Sequence, residues 1–139
     1  MPLSLEEAQT VIAGAHEHAA QLGVRVTVAV LDEGGHLQAL GRMDGAPPIS
    51  AQIAEAKAVG AAMWHREGDS LREVQEARPV FFAQVDRLVR MPMMPGAGSV
   101  LIRRGDAILG AVGVSGALPE QDRDCARAGL ALLAPQPSA

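Results

Sequence analysis

Two adjacent alternating stretches, separated by a tight turn, restrict the fold of this chain more than any other feature. Residues 24–31 read Val-Arg-Val-Thr-Val-Ala-Val-Leu, and a second alternating stretch covers residues 36–42. The four residues between them, Asp-Glu-Gly-Gly, are typical of a turn. A turn this short joins antiparallel strands, whereas parallel strands need a much longer crossover. The pattern therefore predicts a β-hairpin within an antiparallel sheet.

Two helical patterns lie on either side of the hairpin. The first begins with a capping box from Ser4 to Glu7, continues with apolar residues at helical spacing, and ends at Gly23. The second is rich in alanine, and we expect Ser50 to cap it and Trp64 to lie near its end. Its small side chains suit a helix that packs closely on a sheet.

The second half of the chain repeats the alternation of helices and strands. A further capping-box pattern begins at Ser70, and Pro79 is expected to open a short helix. Strands are predicted at residues 99–103 and 107–115, and a last helix at Pro119. Because both strand pairs are hairpins, the order predicts an α+β fold with an antiparallel sheet covered by helices.

Size and composition predict one globular domain over residues 1–139. Hydrophobic residues make up 48% of the chain, enough for a packed core. Residues 134–139 are expected to form a frayed tail. A net charge of −4 and an aromatic content of 2% argue against nucleic-acid binding, which favours basic patches and stacking surfaces.

The sequence also predicts where the protein resides. No apolar run reaches the roughly 18 residues of a membrane span, and we expect no signal peptide. The single cysteine, Cys125, cannot form a disulfide within the chain and fits a reducing compartment. We therefore expect a cytoplasmic protein that does not bind membranes.

The turn at residues 113–116, Gly-Val-Ser-Gly, joins the last predicted strand to the last helix and invites three interpretations. A serine nucleophile at Ser115 would need a histidine later in the chain, and none follows His65. Backbone amides near the helix start, with the Ser115 hydroxyl, could bind an anion, although Glu120 and Asp122 oppose this. The glycines could also simply allow close packing, which is the commoner reason for glycine at such a turn.

Histidines are the candidate ligands for a haem iron. His16 and His18 lie two residues apart on the first helix, about 200° around its axis, and so cannot bind one ion together. A single histidine suffices for haem, because the macrocycle supplies the other equatorial ligands. The sequence predicts no other metal site, since zinc would need partners that the spacing does not provide.

Charged residues and methionines supply candidates for a ligand site. Lys57, within an alanine-rich helix, and Arg42, at the end of the hairpin, could bind a carboxylate. Lys57 could equally form an ion pair within the chain, with Glu55, Asp44 or Asp32. Asp44 and Asp122 could move a proton. Residues 91–94, Met-Pro-Met-Met, could form a soft rim for an apolar ligand, supply a thioether to iron, or fill the core under a loop.

Several ordered motifs carry a family resemblance that covers nearly the whole chain. They are Leu-Ser-Leu-Glu-Glu-Ala at 3–8, Val-Ala-Val-Leu-Asp-Glu-Gly-Gly-His-Leu at 28–37, Arg-Met-Asp-Gly-Ala at 42–46, Ala-Lys-Ala at 56–58, Gly-Ala-Val-Gly-Val-Ser-Gly at 110–116 and Glu-Gln-Asp at 120–122. In this order they resemble the GlcG/HbpS family, the haem-degrading family related to the C-terminal domain of PduO proteins.

The resemblance implies a profilin-like fold, in which a five-stranded antiparallel sheet lies between helices in three layers, α/β/α. It also implies a homo-oligomer, either a dimer or a larger assembly. Members of the family are linked to binding of haem or corrinoid-related molecules, to haem breakdown, or to small-molecule catabolism. The resemblance makes haem the expected cofactor, if the chain has one.

Three functional hypotheses follow. In the first, the chain binds haem or a related tetrapyrrole between helices or subunits, with His16 or His18 on the iron and Lys57 or Arg42 on a propionate. In the second, it is an enzyme or accessory protein for a small oxygenated carboxylate, which Arg42 and Lys57 bind while Asp44 or Asp122 transfers a proton. In the third, it is a structural oligomeric partner without catalysis.

Overall fold

Five helices and four strands make up the part of the chain that the structure, a computed structural model, describes: residues 1–133. In chain order they are α1 (Leu5–Leu22), β1 (Thr27–Asp32), β2 (Leu37–Arg42), α2 (Ile49–Trp64), α3 (Gly68–Ala77), α4 (Pro79–Leu88), β3 (Ser99–Arg104), β4 (Ala107–Ser115) and α5 (Pro119–Leu130). The predicted frayed tail, residues 134–139, lies outside the described residues.

The strands form one antiparallel sheet in the order β2-β1-β4-β3. Thr27, the first residue of β1, lies opposite Arg42 on β2 and opposite Ser115 on β4. Ser99, the first residue of β3, lies opposite Gly113. This register brings the ends of β2 and β4 to the same edge of the sheet as the start of β1.

The expected number of strands was wrong by one, because residues 1–133 contain four strands and not five. The long connection before β3 does not join the sheet. Pro92 and Pro95 have no backbone N–H to donate to a ladder, and the N–H of Met94 donates instead to the carbonyl of Ala56 on α2 at 3.0 Å. The segment is therefore fixed to a helix and does not form a fifth strand.

Helices cover both faces of the sheet, which confirms the predicted α/β/α layers. Alternate residues of β1 point to opposite faces: Val28 and Val30 pack with α1 and α5, whereas Ala29 and Leu31 pack with α2. Burying one such valine or leucine contributes roughly 2 kcal/mol to stability. The sheet thus separates two apolar cores.

The ends of α1 match the sequence prediction. The Ser4 hydroxyl accepts a hydrogen bond from the N–H of Glu7, and the Glu7 carboxylate accepts one from the N–H of Ser4, both at 3.0 Å. Gly23 ends the helix with a φ of 74°, a left-handed conformation that glycine adopts without strain. The predicted starts of α4 at Pro79 and of α5 at Pro119 are also confirmed.

Two predicted helix caps were wrong. Ser50 is not the cap of α2 but its second residue, after Pro48 at the cap position. Its hydroxyl lies 2.7 Å from that of Thr27 and donates to the carbonyl of Pro47. Ser70 lies inside α3, where it accepts a hydrogen bond from Arg66. Both hydroxyls thus bond to other groups, and neither helix has a side-chain cap.

Candidate functional site

A buried ion pair joins α2 to α5. The Nζ of Lys57 lies 3.1 Å from the Oδ2 of Asp122, and the two side chains are only 10% and 3% exposed. The same Nζ donates to the backbone carbonyl of Val114 at 3.0 Å. The structure therefore brings together two of the predicted site residues, 65 positions apart in the chain.

Small residues allow Lys57 to reach this position. At Gly113 on β4, a Cβ atom would collide with the backbone carbonyl of Ala54, so α2 lies directly against the strand. Gly98, with a φ of 124°, lies beside the ammonium group, and a Cβ there would be 2.8 Å from Nζ. The close approach of α2, which its alanine-rich sequence predicted, leaves the Lys57 side chain only 10% exposed.

Asp122 also holds the junction between β4 and α5. Its Oδ1 accepts a hydrogen bond from the N–H of Ala117 at 3.0 Å, and the N–H of Leu118 donates to the side chain of Gln121. Burial raises the pKa of Asp122, although the Lys57 ammonium and the Ala117 amide act in the opposite direction. The N–H groups of Ala117 and Leu118 therefore already donate to side chains of α5 and are not available to an external anion.

Ser115 lies beneath α2 and not at an exposed elbow. It is buried, and its hydroxyl makes no hydrogen bond to any of residues 1–133. It lies opposite Thr27, whose hydroxyl contacts Ser50. At Gly116, φ is 132°, and a Cβ would collide with the carbonyl of Arg25. Close packing therefore explains this glycine.

Arg42 and Asp44 lie elsewhere, beyond the end of β2. The Nη1 of Arg42 donates to the carbonyl of Ala46, and the backbone carbonyl of Asp44 accepts from Arg25, both at 2.8 Å. Both side chains are exposed. Within residues 1–133, no hydrogen bond or ion pair connects either of them to Lys57 or Asp122.

His16 and His18 lie on α1, on the opposite side of the sheet from α2. The Nε2 of His16 is 3.0 Å from the carbonyl of Gly41 on β2, and its ring packs on that glycine. His18 is half-buried and makes no hydrogen bond with the described residues. The two histidines thus differ in whether a ring nitrogen already has a hydrogen-bond partner in the described chain.

An apolar groove of about 320 Å³ runs between the start of α2 and the methionine-rich segment. Met91 and Met94 line it and are each 38% exposed, whereas Met93 is 9% exposed and accepts a hydrogen bond from the Trp64 indole. Two of the sequence interpretations therefore apply to different residues: Met93 fills the core, and its neighbours form a rim. Ile49 and Ile53 supply the wall on α2.

A second cavity, of about 360 Å³, borders the ion pair. Lys57 lines it together with Arg72 on α3 and residues 94–97. The sequence analysis missed Arg72, because nothing in its local pattern distinguishes it from a surface arginine. It also missed Gly98, which the Pro-Gly-Ala-Gly sequence before β3 could have indicated as a close approach.

The described residues contain no cluster of metal-ligand side chains. Among residues 1–133, no three His, Cys, Asp or Glu side chains are grouped to hold a metal ion. Cys125 is buried, and burial together with Asp122 and Asp124 raises the pKa of its thiol to about 11. None of the described helices is long and apolar enough to cross a membrane.

Comparison with known proteins identifies the family. A family described as "Haem degrading protein HbpS-like" matches residues 3–131. The chain belongs to the HbpS-like family. Protein GlcG of Escherichia coli strain K12 is 40% identical over 115 residues, which are 81% of each protein. The resemblance predicted from the ordered motifs is thus confirmed.

Two solved structures of HbpS-like proteins share the fold. HbpS is 31% identical with a TM-score of 0.87, and the match covers 96% of this chain and 92% of HbpS. The PduOC:haem complex is 26% identical with a TM-score of 0.86, and the match covers 96% of both chains.

Proposed function

We propose that this chain binds haem or a related tetrapyrrole. The observation that carries the proposal is its similarity to PduOC, which was solved in complex with haem, over 96% of both chains. The description of the family as haem-degrading points to the same ligand. A bound haem would supply a redox-active iron, whose behaviour the surrounding protein would tune.

The apolar groove between α2 and the methionine-rich segment fits such a ligand. Haem is flat and largely apolar, and binding would cover the exposed parts of Ile49, Met91 and Met94. Methionine side chains adapt their shape to a ligand and can bind iron through sulfur. These residues would hold the macrocycle by burying apolar surface.

We further propose that the iron ligand is His18 or His16, supplied by a second copy of the chain. Both lie on α1, and the sheet separates α1 from the groove within one copy. His18 is the better candidate because its ring has no hydrogen bond to break, whereas His16 would have to leave the Gly41 carbonyl. This arrangement would need the predicted homo-oligomer. A cytoplasmic location stays a prediction.

We propose that Arg42 and Lys57 differ in how well they can bind a haem propionate. Asp122 already neutralises Lys57 in the buried pair, so Lys57 has less charge to offer. Arg42 donates only to a backbone carbonyl and keeps other guanidinium N–H groups free among the described residues. Arg42 is therefore the better candidate of the two.

A haemin titration tests the proposal. We expect the wild-type protein to give a saturable, shifted Soret band that His18→Ala or His16→Ala removes. Ile49→Gln should weaken binding roughly tenfold, because it places an amide in the apolar groove. His36→Ala is the matched control, since that side chain is 80% exposed in the hairpin turn.

Each outcome has a distinct meaning. A band that survives both α1 variants but is lost in Met91→Leu or Met94→Leu would assign a thioether to the iron and contradict the histidine assignment. A weak Soret band that does not saturate and that none of the substitutions changes would contradict haem binding itself.

A further inference from the structure

The cavity beside the Lys57–Asp122 pair contains donors without acceptors. An ammonium group has three N–H donors, and Lys57 uses two, for Val114 and Asp122. Arg72 donates to the carbonyl of Pro95 at 3.3 Å, and no carboxylate of residues 1–133 lies within 4 Å of its guanidinium. The N–H of Ala97, on the same wall, also has no acceptor among the described residues.

Two acidic side chains at this cavity, Asp69 and Asp122, each contact a cation. Asp122 pairs with Lys57. Asp69, which also lines the cavity, lies 3.4 Å from the Nη1 of Arg123, and the Nε of the same arginine lies 3.6 Å from Asp124. Among the charged residues that line the cavity, the Arg72 guanidinium is the group without a partner of opposite charge in residues 1–133. A ligand with a single negative charge balances it, whereas a doubly charged phosphate would exceed it.

We propose that this cavity binds a small organic carboxylate, held by the Arg72 guanidinium and the free N–H of Lys57. An arginine fork matches the two oxygens of a carboxylate. The volume of about 360 Å³ is ample for a compact acid. This site is separate from the methionine-lined groove, with Met94 as their shared wall, and does not depend on haem binding.

The proposal changes the residues expected for carboxylate recognition. The sequence paired Lys57 with Arg42, but Arg42 contacts Ala46 and has no contact with Lys57 in the described chain. Arg72 takes the place of Arg42. Asp122 is a positioning residue, because it holds the Lys57 ammonium at the cavity wall.

Lactate, with neutral lactamide of the same shape, tests the site. We expect lactate to shift the backbone ¹⁵N–¹H signals of Gly96 and Ala97 saturably, with a Kd on the order of 1 mM for so few atoms. Lactamide should not shift them. Arg72→Gln should weaken lactate binding about tenfold, whereas Arg87→Gln, an exposed arginine on α4, should not.

Lys57→Gln is a second variant, used where a thermal melt shows that it folds, and it should weaken lactate binding as Arg72→Gln does. Shifts that are equal for lactate and lactamide, or unchanged by Arg72→Gln, would overturn the proposal. Tighter binding of inorganic phosphate than of lactate would also overturn it. The haemin titration is read from the Soret band, so either proposal can fail without the other.

Discussion

At the scale of single residues, the packing around Lys57 could be predicted from the sequence, but its ion-pair partner could not. Its alanine-rich surroundings predicted close packing of α2, and that packing is what buries the lysine. The partner could not be predicted, because Asp122 lies 65 positions away and no local pattern connects them. Arg72 was missed for the same reason, since only the fold places it beside Lys57.

We expect Lys57→Met to destabilise the protein by about 3 kcal/mol, because it leaves the Asp122 carboxylate buried without its cation. The double variant Lys57→Met with Asp122→Asn should recover part of this loss, since asparagine is neutral and can still accept from Ala117. Urea denaturation of the single and double variants measures the coupling. Additive effects would show that the pair is not energetically coupled.

At the scale of elements, prediction succeeded where the signal was local. The capping box and Gly23 predicted both ends of α1, and Pro79 and Pro119 predicted two helix starts. It failed at Ser50 and Ser70, where the helices begin two and three residues earlier than the predicted caps imply. Near those starts, Ser50 contacts Thr27 and the Gly68 carbonyl accepts from the N–H of Gly96, and such distant contacts are not visible in sequence.

The cap of α1 should make stability depend on pH. The Ser4 N–H, together with Arg104, holds the pKa of Glu7 below its ordinary value of 4.5. A lowered pKa in the folded state stabilises the protein above the ordinary value, and this gain is lost as the pH falls through the lowered one. Glu7→Gln should therefore cost about 1 kcal/mol at pH 7 and less in acid.

Glu6→Gln is the control for this measurement, because Glu6 is in the same first turn and its side chain has no partner among the described residues. Urea denaturation at pH 7 and at pH 3 compares the variants. Equal acid sensitivity of Glu7→Gln and the wild type would contradict the assignment of this pH dependence to the cap.

The contact between α2 and β4 should tolerate no side chain at Gly113. We expect Gly113→Ala to cost about 3 kcal/mol, because the new Cβ meets the backbone of Ala54, which cannot move aside like a flexible side chain. Gly23→Ala is the comparison, since its Cβ meets nothing and only the left-handed φ should cost about 1 kcal/mol. Thermal unfolding of both variants tests the difference, and similar losses would contradict it.

At the scale of the whole molecule, the order of hairpins and helices was enough to predict an antiparallel sheet covered by helices, and the family resemblance supplied the three-layer arrangement. The strand count came only from the resemblance, and the prolines of residues 91–98 account for the difference in this chain. The separation of the two cores follows from the alternation along β1. What sequence could not supply is the position of each helix across the sheet, on which the ion pair and both cavities depend.

The predicted homo-oligomer has a direct test. Light scattering coupled to size exclusion should give a mass at least twice the 14.4 kDa of one chain. The proposed haem ligand from a second copy requires this result. A monomer that still binds haem through His18 would contradict the arrangement between subunits while leaving haem binding itself in place.

The different exposure of three neighbouring methionines has a chemical consequence. Peroxide converts an accessible thioether to a polar sulfoxide, so Met91 and Met94 should be oxidised before Met93, which lies beneath Trp64. Peptide mass spectrometry after brief treatment would show the order, and equal rates would contradict it. The first two sulfoxides would make the groove polar without opening the core, so oxidation would weaken binding of an apolar ligand in a molecule that stays folded.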